Sequence, residues 1–239
     1  MPSRASAAPA FLYVPAMGMP GSEVVLSEAE SHYVARVCRA RAGDLVTASD
    51  GRGQVGALRL AAIDRSVRAT IESIEVVPRR RTVWMLCGEP EGQRDDWMVE
   101  KLAELGVARW TPIDTERTSW HSAAKRHDRW ERLAVAALKQ SRSAHLMQLD
   151  APLALDLALG RLSPGGTRWV ASEAGNPPEA LTQGATVTAL VGPAAGFTGD
   201  EDVLAAQYGF QPVALSRARL RAETAAISVA AWWAAHPYN

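Results

Sequence analysis

The stretch Ala-Leu-Val-Gly-Pro-Ala-Ala-Gly-Phe, residues 189–197, carries an apolar run straight into a loop that holds Gly192, Pro193 and Gly196. Glycine at the end of a buried strand leaves bare backbone that a ligand can approach closely. The residues that follow restrict which ligand. A Walker-type phosphate loop needs G-x-x-x-x-G-K-[ST], with a lysine for the phosphates and a hydroxyl for magnesium. Here Phe197 and Thr198 follow Gly196, and the lysine is missing. The dinucleotide pattern G-x-G-x-x-G is also absent, and Asp200, Glu201 and Asp202 stand just downstream, where they would repel a pyrophosphate. The loop therefore reads as a site for a ligand that is not an anion. A second candidate, Leu215 to Trp233, places Arg217, Arg219, Arg221 and Glu223 where a strand gives way to a helix. By itself it is either a solvated basic turn before a packing helix or a functional loop. Two such loops at neighbouring strand ends can wall one pocket.

The elements that must position these loops fall into two styles. Up to about Val77 the chain reads as short strands (22–27, 44–50, 54–63 and 66–77) interrupted by one helical piece over 28–40, a pattern that fits a small β-barrel with a helix. Pro78-Arg79-Arg80-Arg81 marks a linker, which gives an expected division into 1–77 and 78–239. Beyond it strands and helices alternate. Strands are expected at 82–88, 108–114, 167–174, 186–192 and 212–216, and helices at 95–106, about 123–141, 200–208 and 222–235. Such alternation predicts an α/β domain with a mostly parallel sheet covered by helices. Thr198-Gly199-Asp200-Glu201 matches a capping box, so the glycine loop feeds a helix start, and Gly106 is placed to end the helix before it. The Ala-rich first ten residues are read as disordered.

Composition restricts the class without naming a partner. The chain has 239 residues, with 26 Lys and Arg balancing 26 Asp and Glu. Charge is nevertheless uneven. Between Arg117 and Arg142, seven basic residues face two acids, Asp128 and Glu131, which marks a candidate phosphate-facing surface. Cys38 and Cys87 lie far apart without a Cys/His cluster, so neither a zinc site nor a disulfide framework is indicated, and a reducing cytoplasm is the default. The longest apolar run, 225–235, is too short to cross a bilayer, so no membrane association is expected.

Taken in order, Lys-Leu-Ala-Glu-Leu-Gly-Val (101–107), Thr-Pro-Ile-Asp-Thr-Glu-Arg-Thr-Ser-Trp (111–120), Ala-Ala-Leu-Lys-Gln-Ser (136–141), Leu-Val-Gly-Pro-Ala-Ala-Gly-Phe (190–197) and Leu-Arg-Ala-Glu-Thr-Ala-Ala (220–226) resemble the bacterial ribosomal RNA uridine-N3 methyltransferase family, of the knotted SPOUT class. Residues 32–44 are similar to that family's N-terminal segment. The resemblance covers almost the whole chain. It implies a PUA-like β-barrel that helps hold RNA, followed by an α/β domain with a deep trefoil knot. It further implies a homodimer, S-adenosylmethionine as cofactor, and a small-subunit ribosomal RNA or assembled small subunit as partner; the cysteine usage adds the expectation of a cytoplasmic location and no metal.

The same resemblance assigns candidate residues. Cofactor contacts fall on Leu190, Gly192, Pro193, Gly196, Leu215, Ser216, Leu220 and Thr224. Arg221 or Arg117 would stabilise charge on the uracil, and Glu223 would either fix the C-terminal loop or accept the N3 proton. RNA contacts fall on His32, Arg36, Arg39, Arg41, Gln140, Ser141 and Arg142. Some positions depart from the family pattern. Ala194 and Ala195 replace Glu and Gly, Ser216 replaces Gly, Ser143 replaces Arg, and Met147 replaces Pro. A methyl or hydroxyl added to a ligand loop restricts backbone angles, which motivates a second reading: an RNA binder that has lost catalysis. Arg126, Arg129 and Arg132 recur at helical spacing and read as a solvated face. His121, His127 and His145 show no partner pattern, and Trp232-Trp233 reads as core or dimer packing.

Overall fold

The computed structural model describes residues 10–63, 66–179, 181 and 186–235. The first nine residues of the Ala-rich terminus lie outside them. The described chain forms two compact units, one of residues 1–79 with 138–146 and the other of 80–137 with 147–239.

The first unit holds β1 (Phe11–Tyr13), β2 (Glu23–Val25), α1 (Glu28–His32), β3 (Leu45–Ser49), β4 (Gln54–Ile63) and β5 (Val67–Val76). The strands form a sheet in the order β1-β3-β4-β5-β2, parallel at β1–β3 and antiparallel elsewhere. Alternation drives the assembly: Leu58 and Leu60 in β4 and Val67, Ala69 and Ile71 in β5 are buried, whereas Arg59, Arg68 and Glu72 face out. Leu12, Val34, Val46 and Ala48 complete that core. The expected continuous helix over 28–40 differs. α1 passes at Tyr33 into a π turn, Tyr33–Val37, closed by Cys38 N–H donating to the Tyr33 carbonyl at 2.9 Å. The three residues of β1 are too few to show alternation and are held by parallel pairing with β3.

The second unit holds β6 (Thr82–Cys87), α2 (Asp95–Glu104), β7 (Arg109–Asp114), α3 (Ala123–Ser141), β8 (Gln148–Leu149), β9 (Leu153–Ala154), α4 (Leu155–Gly160), β10 (Thr167–Asn176), β11 (Thr186–Val191), α5 (Gly199–Gln207), β12 (Gln211–Val213) and α6 (Ala222–Ala235). Residues 138–141 of α3 group with the first unit. The sheet order is β12-β10-β11-β6-β7-β8, with β9 also on β7, and every pairing is parallel. β11 is buried from Val187 to Val191, as a strand with both faces covered must be. Trp110, Trp120 and Trp130 pack edge to face with ring centroids 5.0–5.7 Å apart, anchoring α3 on β7. The two-residue strands β8 and β9 and the short α4 have no periodicity to betray them in sequence. The strand expected at 212–216 is shorter than its apolar pattern, because the chain leaves the sheet after Val213.

Candidate functional site

In the second unit, a cavity of about 800 Å³ opens at the carboxyl ends of β10, β11 and β12, the place where open parallel sheets hold ligands. Val170 to Glu173 of β10 form one side. Val191 to Ala194, Gly196 and Phe197 form a second, and residues between Pro212 and Ala225 form the third.

Backbone bonds rather than side chains shape the loop after β11. Gly196 N–H donates to the Pro193 carbonyl at 2.8 Å, and Gly196 adopts φ +73°, a left-handed angle that glycine takes without strain. A Cβ on Gly192 would come within 3.1 Å of the Phe197 ring. Three bonds brace the loop from outside. Gly88 N–H donates to Val191 at 2.9 Å, Ala194 N–H to Glu89 at 3.2 Å, and the Arg117 guanidinium to the Ala195 carbonyl at 2.7 Å. Thr198 then starts α5 with the expected capping box. Glu201 completes the box and also accepts Glu116 N–H at 2.9 Å, so this buried carboxylate is occupied by backbone donors. Of the three downstream acids read as repelling an anion, Asp202 reaches the cavity.

The passage from β12 to α6 supplies the charged groups. The Glu223 side chain is 2% exposed; its Oε1 accepts from Arg94 Nη1 at 2.7 Å, while Oε2 is buried without a hydrogen-bond partner. Arg221, on the same wall, pairs with Glu91 at 3.2 Å. Ser216 Oγ accepts Ala218 N–H at 3.0 Å, which turns the loop back on itself.

Gly192, Pro193, Gly196, Leu215, Ser216, Leu220, Arg221 and Glu223 are thus brought around one space. Leu190 is not among them. It is fully buried and packs with Leu86, Ile113 and Leu159 in the core beneath the loop, because β11 is covered on both faces. Thr224 is half-buried beside the wall rather than on it. Arg117 lies behind the glycine loop and holds it. Arg94 and Glu91 went unassigned in the sequence, whereas Arg219, named there as part of the second candidate loop, lines the cavity. Arg94 carries no local signal, since its partner is 129 residues away.

The remaining candidates belong to the first unit. His32 ends α1, Arg36 rides the π turn, Arg39 and Arg41 follow it, and Gln140, Ser141 and Arg142 close α3; all are exposed. Lys139, just before them, reaches both oxygens of buried Glu30 at 2.8 Å and lies 4.0 Å from the centre of the Tyr33 ring. That contact seats the end of α3 on α1 and its π turn. A hydrogen bond with Cys38, then burial, pushes the Tyr33 phenol up. Among the described residues no group of His, Cys, Asp and Glu is arranged to hold a metal ion, and no helix is long and apolar enough to cross a membrane.

A family model described as an RNA methyltransferase domain matches residues 78–234, the whole span that builds the cavity. The chain belongs to this RNA methyltransferase family. A model described as an RNA methyltransferase PUA domain matches residues 26–72, in the first unit. A ribosomal RNA small subunit methyltransferase E of Synechocystis is 29% identical over 210 residues, spanning 84% of this chain and 69% of the relative. One from Mycobacterium bovis is 25% identical over 230 residues, 90% and 87% of the two chains. Among solved structures, that of a ribosomal RNA small subunit methyltransferase E from Neisseria gonorrhoeae bound to S-adenosyl methionine is similar with a TM-score of 0.85 and 26% identity, covering 94% of this chain and 96% of the other. A protein of Legionella pneumophila solved in complex with the bound cofactor SAM gives a TM-score of 0.80 at 25% identity, covering 95% and 97%. The RNA methyltransferase match reaches every strand and helix of the α/β unit, and the PUA match spans α1, β3 and β4 and most of β5 in the first.

Proposed function

We propose that this chain methylates N3 of a uridine in small-subunit ribosomal RNA, with S-adenosylmethionine as methyl donor. The observation that carries the reading is the cavity itself. Within an RNA methyltransferase domain, it combines bare backbone at Gly192 and Gly196, apolar walls from Val191, Phe197, Leu215 and Leu220, and the Glu223 carboxylate, tied to Arg94, on the third wall. Those features suit a cationic cofactor with an apolar body, and the relatives of known structure bind one.

The alternative of an RNA binder without catalysis rested on the altered glycines and on an arginine of the family pattern that this chain lacks; the backbone bears on the glycines. Among the described residues only Arg39 and Arg142 combine a side chain with positive φ, so Ala194, Ala195 and Ser216 sit at ordinary backbone angles and their side chains impose no strain on the loop. That favours the enzyme.

Bound S-adenosylmethionine would supply an electrophilic methyl group, whose in-line transfer to N3 leaves a neutral thioether while the N3 proton departs. The protein's first task is alignment. The Gly192–Gly196 turn, braced by Gly88, Glu89 and Arg117, and the Leu215–Leu220 passage would hold the cofactor. The second task is to favour loss of the N3 proton. Arg221 lines the cavity and is half-exposed, so its guanidinium can face the uracil carbonyls and stabilise developing negative charge. Glu223, tied to Arg94, fixes the start of α6 and with it the C-terminal loop. The uridine must arrive unpaired, since N3 is otherwise engaged in a base pair.

By the same reading, His32, Arg36, Arg39, Arg41, Gln140, Ser141 and Arg142 contact RNA, residues 1–77 act as an RNA-holding PUA-like module ahead of a catalytic 78–239, and the catalytic domain carries the family's trefoil knot in a cytoplasmic homodimer. Sedimentation would report a mass near twice the 25.7 kDa chain if the dimer forms. The experiment that tests the activity is calorimetric titration with S-adenosylmethionine and S-adenosylhomocysteine, followed by mass-spectrometric detection of 3-methyluridine in small-subunit RNA. Folded protein that binds neither cofactor at millimolar concentration would overturn the proposal.

A further inference from the structure

Four helix ends in the described chain close around a residue in the left-handed region. In the second unit, α2 ends at Gly106 (φ +78°), with Val107 N–H returning to the Leu102 carbonyl at 3.0 Å. Likewise α5 ends at Gly209 (φ +79°), with Phe210 N–H returning to Ala205 at 3.1 Å. These are Schellman ends, whose left-handed position is usually glycine because a Cβ is strained there. In the first unit the same position carries arginine. α3 closes with Ser143 N–H on the Leu138 carbonyl at 3.0 Å, which puts Arg142 in the glycine place at φ +54°. The π turn after α1 closes with Ala40 N–H on the Val34 carbonyl at 3.1 Å, around Arg39 at φ +51°.

Arg39 and Arg142 are the only non-glycine residues with positive φ among the described residues. Arginine is not one of the types, such as Asn and Asp, that tolerate this region through local hydrogen bonds. Neither guanidinium has a hydrogen bond or ion pair within the described chain, and both residues are exposed. Folding gains nothing visible from these side chains and is strained by their Cβ atoms. Backbone strain retained without an internal partner points to an external one. The two segments also belong to one assembly, because Lys139 of α3 is clamped on Glu30 of α1 and lies over Tyr33 of the π turn.

We infer that Arg39 and Arg142 are phosphate-contacting residues of one RNA-backbone surface, each kept at a helix end where the fold alone would favour glycine. This rests on the reading of the first unit as RNA-binding. A left-handed helix end throws its side chain away from the helix axis into solvent, and a planar guanidinium suits the bidentate geometry of a phosphate. The surface would recognise RNA through its backbone, with no base identity read by these two residues.

The test uses the full chain, a small-subunit ribosomal RNA transcript and four variants: Arg39→Gly, Arg142→Gly, Arg39→Lys and Arg142→Lys. Each glycine variant should melt about 2 °C higher than the parent and bind the transcript several-fold more weakly. The slope of log affinity against log salt should also flatten by about one unit per residue. The lysine variants keep the charge, so they should retain most of the slope and the parent's melting temperature. Glycine variants that bind with unchanged salt slope, or that melt lower, would overturn the inference while leaving RNA binding by the chain intact. A parent protein with no salt-dependent affinity for the transcript would instead overturn the RNA-binding reading on which it rests.

Discussion

Arg94 and Glu223 lie 129 residues apart in sequence, yet Arg94 Nη1 donates to Glu223 Oε1 at 2.7 Å, and the other carboxylate oxygen is buried without a hydrogen-bond partner. One ion pair therefore ties the N-terminus of α2 to the N-terminus of α6 and orients a buried anion. Glu223→Gln preserves the shape and removes the charge. It should weaken S-adenosylmethionine binding about tenfold, consistent with about 1.4 kcal/mol for one charge-assisted hydrogen bond. Arg94→Ala should weaken binding comparably by freeing the carboxylate to reorient. The double variant should lose less than the sum of the two, since each substitution breaks the same contact. Calorimetry on the three variants checks it; additive losses would show that the two residues act separately.

Arg221 sits on the cavity wall, and its partner Glu91 is largely exposed, so the pair is readily exchanged for a ligand. Arg221→Ala should leave cofactor affinity within a factor of about three while lowering single-turnover methyl transfer by about 100-fold, the scale of one lost electrostatic donor. Single-turnover methyl transfer with saturating cofactor reads the difference. Full turnover in this variant would remove Arg221 from the chemistry.

Gly88 lies against the glycine loop from behind, and a Cβ there would collide with the nitrogen and Cδ of Pro193. Gly88→Ala should destabilise the protein by about 1–3 kcal/mol through overpacking and displace the loop, so cofactor affinity should fall with the melting temperature. Gly160→Ala, whose Cβ would meet open space, serves as the control. Thermal melts with and without cofactor distinguish the two.

Burial pushes the Cys87 thiol up to about 12. A thiol held protonated at neutral pH is a poor nucleophile. Iodoacetamide at pH 8 should therefore alkylate Cys38, which is partly exposed, and spare Cys87 until the chain is denatured. Peptide mass spectrometry on native and unfolded protein decides it.

His145 is held below the ordinary imidazole value by burial and by the nearby Arg79 charge, with Asp50 opposing. On acidification the unfolded chain takes up this proton first. The contribution of neutral His145 is therefore fully present above about pH 6.5 and is lost as pH falls through the lower folded value. His145→Gln should flatten the decline of melting temperature between pH 6.5 and 5. An unchanged pH profile would exclude His145 as its source.

Much of the molecule was determined by local pattern. Alternation in β4 and β5, the β–α alternation beyond Arg81, the capping box at Thr198 and the glycine stop at Gly106 are short-range effects, and each appears in the fold where the residues place it. The glycine loop was legible for the same reason: bare backbone after an apolar strand is a statement about a few adjacent residues. Tertiary structure alone decided which neighbours those residues meet. Leu190 belongs to the core because sheets and helices cover both faces of β11, and sequence spacing cannot distinguish a wall residue from one directly beneath it. Arg94 found Glu223, and Lys139 found Glu30, through contacts across more than a hundred residues, for which no local spacing rule exists. The left-handed arginines were visible as charges but not as strain, because φ is set by how each helix closes. Residue type declares the chemistry available, and packing selects the partner that uses it.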